Sequence, residues 1–263
     1  MAVLYRRDYT ILTKDEIDEK EQLEREKIDP NSKFSVNLYY DYSKAVRHNE
    51  SLFPNNFIDN ADLQQNRDEL FSQCDGFKEL LNGKITELGI KRYIQNNEYY
   101  HIPASIFKYY NFGHHAAYVF KEFHLGTYFS ADYLLVGDSS DGHQFIFVEF
   151  ENVYGNITIG DGDFGDTIRK GINQINDWKA FIQSNYSTIT AEFKKHTTKQ
   201  LTDEFYDYDA TRMNFVVVAG RRDDFNDKTR RLRRLLEENS KIKLLHYDNL
   251  IDVAISTIGN WTY

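Results

Sequence analysis

The stretch FIFVEFENVYG, residues 145–155, constrains the fold more than any other part of the chain. Its apolar alternation is that of a strand, and residues two apart on a strand share a face, so Glu149 and Glu151 stand side by side with Phe150 turned away. Two carboxylates that close repel, so at least one has a raised pKa unless a cation lies beside them. The strand has a partner immediately before it. SADYLLV and QFIFVEF are two apolar runs joined by the turn GDSSDGH, which reads as an antiparallel hairpin. In such a hairpin the start of one strand lies opposite the end of the other, so Asp132 approaches the glutamate pair without a special loop. The three acids form a hard oxygen donor set suited to Mg²⁺ or Mn²⁺, although acids at strand ends also occur as plain solvated caps.

Periodicity places other elements around the hairpin. TKDEIDEKEQLEREK opens with Thr13 and Glu16 at capping-box spacing and predicts an exposed helix or assembly arm. SKFSVNLYYDYSKAV alternates as a strand does, and CDGFKELLNGKITELGIKRYIQNNEYY predicts a helix, a turn at Asn82 and Gly83, and a second short helix. HHAAYVFKEFHLG has helical spacing closed by Gly126. DTIRKGINQINDWKAFIQ puts Ile168, Ile172, Ile175 and Ile182 on one helical face with Trp178 at its edge. MNFVVVAGRR is a continuous apolar run, as in a strand buried on both sides, and an arginine-rich helix leads from it to IKLLHYDNLI. The pattern predicts a mixed α/β sheet with flanking helices, divided softly into an N-terminal assembly or regulatory segment, 1–72, and a core domain, 73–263.

Composition narrows the function classes. With 41% hydrophobic residues, 19 Tyr and 19 Phe, the chain has enough apolar mass for a packed core. One cysteine, Cys74, cannot form an internal disulfide and reads as structural, and no signal-peptide core or transmembrane run is present, so a cytoplasmic protein with no membrane partner is expected. The net charge of −9 argues against a general nucleic-acid coat. A local exception is GRRDDFNDKTRRLRRLLEENSKIK, where Arg221, Arg222, Arg230 and Arg233 are candidates for phosphate contacts, against the plainer alternative of a solvated helix face. GDGDFGD, 160–166, lacks the flanking helix and twelfth-position Glu of an EF-hand and reads as an acidic turn. The neighbours His114 and His115 diverge on a helix and make poor metal geometry. Walker, dinucleotide and serine-hydrolase motifs are absent from the sequence, which argues against an ATPase or a dehydrogenase.

The ordered set ADYLLV, FVEFEN, INQINDWKAFI, FVVVAGRR and LLHYDNLI resembles the PD-(D/E)xK nuclease core, and more narrowly the Shedu family of anti-phage defence nucleases, across residues 73–263. The resemblance implies a restriction-endonuclease-like fold, Mg²⁺-dependent (or Mn²⁺-dependent) cleavage of DNA in anti-phage and anti-plasmid defence, and a homo-oligomer such as a tetramer. It implies that Asp132 and Glu149 are the metal-binding acids, with Glu151 extending the metal shell, and that Gln174 lies on the helix flanking the site. Glu122, in YVFKEFHLG, is a candidate further acid and equally a surface residue. The departure is Glu151, because the common form of the core has a lysine there to offset phosphate charge and orient water. Lys170, four residues before Gln174 and on the same helical face, is a candidate replacement. The alternative is a module that keeps the fold and binds or senses nucleic acid without cutting.

Overall fold

The computed structural model describes residues 4–27 and 40–263. In chain order the elements are α1 (Lys14–Lys27), α2 (Lys44–Glu50), β1 (Phe57–Ile58), α3 (Asp62–Gln65), α4 (Arg67–Asn82), α5 (Glu87–Asn97), α6 (His101–Ala104), β2 (Ala116–Leu125), β3 (Phe129–Asp138), β4 (Gln144–Phe150), β5 (Thr158–Ile159), β6 (Asp163–Phe164), α7 (Asp166–Ser184), α8 (Tyr186–Phe193), β7 (Met213–Val218), α9 (Asp227–Ser240), β8 (Ile242–Leu245) and α10 (Tyr247–Thr257). Six strands form one mixed sheet in the order β1-β2-β3-β4-β7-β8. The first three pairings are antiparallel and the last two parallel, with α7 and α8 crossing from β4 to β7 and α9 from β7 to β8. The strands of the parallel half are buried on both faces, as crossover helices require.

Each face of the sheet packs on its own apolar layer. One contains Phe145 and Phe147 of β4 against Ile168, Ile175, Trp178 and Ile182 of α7. The other sets Ile146, Val148 and Phe150 against Ile90 and Ile94 of α5 and Tyr247 and Leu250 of α10. Trp178 is fully buried, so it belongs to the middle of the α7 contact rather than its edge, whereas Ile172 is only partly covered. Among the described residues no helix is long and apolar enough to cross a membrane.

The α1 capping box forms: the Thr13 N–H donates to Glu16 Oε2 at 2.8 Å, and the Glu16 N–H donates to Thr13 Oγ1 at 3.4 Å. One expectation fails. HHAAYVFKEFHLG is not a helix; 116–125 is strand β2, with His114 and His115 in the loop before it. Tyr118, Phe120, Phe123 and Leu125 all enter one apolar layer, so the spacing runs two, three, two. The step of three crosses Glu122, whose φ of 50° shifts the strand by one residue, and that shift is what imitates a helical period. Gly126 is left-handed as expected, at φ 68°, but it turns β2 into β3. The strand expected at SKFSVNLYYDYSKAV falls partly outside the described residues, and its end is a turn followed by α2. The residue after that stretch, Arg47, is buried against Asp59 at 2.7 Å.

Candidate active site

The three acids meet where β3 and β4 part. Their ladder closes at Tyr133 opposite Val148, so Asp132 falls opposite Glu149 one step beyond it. Asp132 Oδ2 accepts the Phe150 N–H at 2.8 Å, taking the place that a backbone carbonyl of β3 would fill. On the other side of β4 the pairing continues, with the Glu151 N–H donating to the Val218 carbonyl at 2.8 Å and the Tyr247 hydroxyl donating to the Glu151 carbonyl at 2.7 Å. The backbone around Glu149 and Glu151 is therefore fixed by the sheet and by α10. Glu122 sits in register with Asp132 on the far side of β3, but it is exposed and the β2–β3 pairing skips both residues.

Two lysines reach these acids from helices on opposite faces of the sheet. Lys91 of α5 donates to Asp132 Oδ1 at 2.7 Å and to Glu87, one turn earlier on its own helix, at 2.8 Å. Lys170 of α7 donates to Glu151 Oε2 at 2.9 Å. The two differ in setting, because the Lys91 side chain is 17% exposed and that of Lys170 59%. Close approach of α7 to the site depends on Gly171, where a Cβ would meet Val217 Cγ1 at 2.8 Å and Glu151 Cγ at 3.1 Å.

The remaining oxygens are unsatisfied. Glu149 Oε2 and Glu151 Oε1 are buried and accept no hydrogen bond. Burial, then the negative charges of Asp132 and Glu151, push the Glu149 carboxyl up to about 9. Burial also raises Glu151, partly countered by the hydrogen bond from Lys170, and raises Asp132 against the pull of Lys91. Burial alone would lower Lys91, but Asp132 and Glu87 outweigh it and hold the ammonium well above its ordinary value.

Beside the acids, a cleft of about 720 Å³ is lined by Tyr128, Ser130, Arg169, Lys170, Asn173 and Gln174 among others. Gln174 thus shares a cleft wall with Lys170, and among the described residues no hydrogen bond joins it to the three carboxylates. The arginines divide. Arg221 is spent on structure, bonding Asp248 at 2.7 Å and the Leu81 carbonyl at 2.7 Å, and Arg222 pairs with Asp252. Arg230 and Arg233 lie a turn apart on α9, Arg230 exposed and 3.4 Å from Asp227. The acidic stretch 160–166 holds the β5–β6 turn, β6 and the first residue of α7, and it binds Lys228 through Asp161 at 2.7 Å and Asp163 at 3.0 Å.

Sequence reading missed Lys91 and Glu87. Their one signal, a Glu and a Lys four apart in ELGIK, is the commonest arrangement of a solvated helix face. Nothing local states that this face meets a strand 41 residues further on.

The class defined here is a mixed α/β fold whose six-stranded sheet gathers three carboxylates, hard oxygen donors, at the parted end of two strands between helix-borne lysines. The family model for the Shedu protein SduA, C-terminal, matches residues 84–251, and the chain belongs to that family, which is part of anti-phage defence systems. No curated protein matches the chain.

Proposed function

We propose that the chain is a metal-dependent DNA endonuclease acting in the cytoplasm against phage and plasmid DNA. The observation that carries this reading is the charge of the centre. Among the described residues Glu87, Asp132, Glu149 and Glu151 meet only Lys91 and Lys170, so the centre would carry two unbalanced negative charges once Glu149 gives up its proton to a metal, the charge of one divalent cation. The two orphan carboxylate oxygens fit Mg²⁺ or Mn²⁺, which need few protein ligands and complete their shells with water and phosphate oxygens. Among the described residues no group of three His, Cys, Asp or Glu is set as a ready cage. Asp132 has both oxygens engaged, by Lys91 and by Phe150, so Glu149 and Glu151 are the residues that would hold the ion.

A bound ion would lower the pKa of a water and neutralise charge on the transferred phosphoryl group. The chain does the rest. Asp132 fixes the Phe150 backbone and with it the direction of Glu149 and Glu151. Lys170, Asn173 and Gln174 offer donors to a phosphate backbone lying in the cleft. Arg230 and Arg233 of α9 would add phosphate contacts, and residues 1–72 would supply assembly contacts for a homo-oligomer.

The test is cleavage of linear and supercoiled DNA with Mg²⁺ or Mn²⁺ by the full chain and by Glu149→Ala. Metal-dependent cutting that disappears in the variant is expected. Equal cutting by both, or none by either with every metal and substrate form, would sink the reading.

A further inference from the structure

We propose that Lys91 is the catalytic lysine of this centre, delivered from helix α5 to the place that residue 151 leaves without a cation. The inference rests on the nuclease reading and names one residue within it. In the common form of the core the lysine comes from the same strand as the acid, two residues on; here that position is Glu151, itself paired to Lys170. Among the described residues, the one ammonium that bonds an acid of the parted strands from a largely covered side chain is Lys91, at 2.7 Å from Asp132. Its aim is fixed from two sides, since Asp132 and Glu87 each accept one of its three N–H bonds, and the third has no acceptor among the described residues and is the one we assign to a substrate oxygen.

Enclosure decides between the two lysines. A lysine whose side chain is 17% exposed acts on developing phosphate charge through a lower effective dielectric than one whose side chain is 59% exposed, as that of Lys170 is. Lys170 also sits on the cleft wall, where substrate backbone passes, whereas Lys91 stands at the parted strands themselves. In the reaction, water attacks phosphorus and loses one proton to solvent. The bridging P–O bond breaks, and the departing oxygen takes one proton from solvent, leaving a phosphate monoester and an alcohol. Lys91 remains protonated throughout and donates its free N–H to a non-bridging phosphate oxygen, whose charge grows in the transition state.

The experiment compares the full chain with Lys91→Met, Lys91→Arg, Lys170→Met and Glu149→Gln in single-turnover cleavage, with Mn²⁺ binding followed by electron paramagnetic resonance on the same samples. Lys91→Met should cut roughly 100-fold more slowly, yet bind Mn²⁺ at least as well as the parent, because removing a cation cannot weaken an acidic site electrostatically. Lys91→Arg should recover about tenfold of that loss, and Lys170→Met should lose less than Lys91→Met. Cutting by Lys91→Met within about threefold of the parent overturns the role, as does loss of Mn²⁺ binding in step with loss of cutting, which marks a structural lysine. Cutting that needs Glu149 but not Lys91 removes this role alone; absence of cutting in the parent with every metal removes the nuclease reading beneath it.

Discussion

Replacing Glu149 by Gln should make the metal-free protein more stable while removing its metal centre. In the folded chain the Glu149 carboxyl titrates at about 9, against an ordinary value of 4.5. A carboxyl whose folded pKa is raised holds its proton more tightly in the folded state, so its contribution is most favourable below 4.5 and is lost progressively as pH rises toward about 9. Each pH unit in that window costs about 1.4 kcal/mol. At pH 7.5 the ceiling is about 4 kcal/mol, and relaxation around a strongly interacting acid cluster brings the expected value to roughly 2 kcal/mol. Gln keeps the shape and carries no charge, so Glu149→Gln should gain about that much stability at pH 7.5 and little at pH 4.5. The assay is urea denaturation in EDTA at both pH values, repeated at pH 7.5 with Mg²⁺. Added Mg²⁺ should stabilise the parent and leave the variant unmoved. A variant whose stability tracks the parent at both pH values in EDTA would refute the burial and repulsion assigned to this carboxyl.

Gly171→Ala should gain about 1 kcal/mol of helix propensity but force α7 away from Val217 and Glu151, with a net loss of about 1–2 kcal/mol and slower cutting, read by thermal melting and cleavage. Asp59→Asn leaves the Arg47 guanidinium buried with half its partner gone and should cost about 3–5 kcal/mol in denaturant midpoint measurements. Arg221→Ala should lower stability with little change in DNA affinity. The double variant Arg230→Ala, Arg233→Ala should instead weaken DNA binding and flatten its logarithmic salt dependence by about 2, measured by anisotropy titration. Glu122→Gly should relieve a left-handed backbone and add up to about 1 kcal/mol, a gain that chemical denaturation would detect.

The elements legible in the sequence were those whose period was unbroken. The β3–β4 hairpin, α7 and the buried strand β7 follow directly from apolar spacing. β2 was misread because a single positive-φ residue, Glu122, puts a step of three into an alternating pattern. The acids of the centre were legible for the same reason as the hairpin, since antiparallel pairing alone brings Asp132 to Glu149. Lys170 could be placed by helical spacing, and it does meet Glu151. Lys91 could not, because its role depends on how α5 docks beneath the sheet, a fact of tertiary packing with no local period. The arginines show the same limit: charge in a sequence does not reveal which guanidinium, such as that of Arg221, is already held by Asp248.

The bond from the Phe150 N–H to the Asp132 carboxylate makes that acid the last rung of the β3–β4 ladder as well as a member of the reactive cluster. Chemistry and architecture are therefore not separable at this position. A substitution of Asp132 frees a strand end and turns Lys91 loose together, so an inert Asp132 variant reports a collapsed scaffold as readily as a missing ligand. Glu149, whose buried Oε2 accepts no hydrogen bond among the described residues, is the position from which the reaction can be interrogated with the ladder intact.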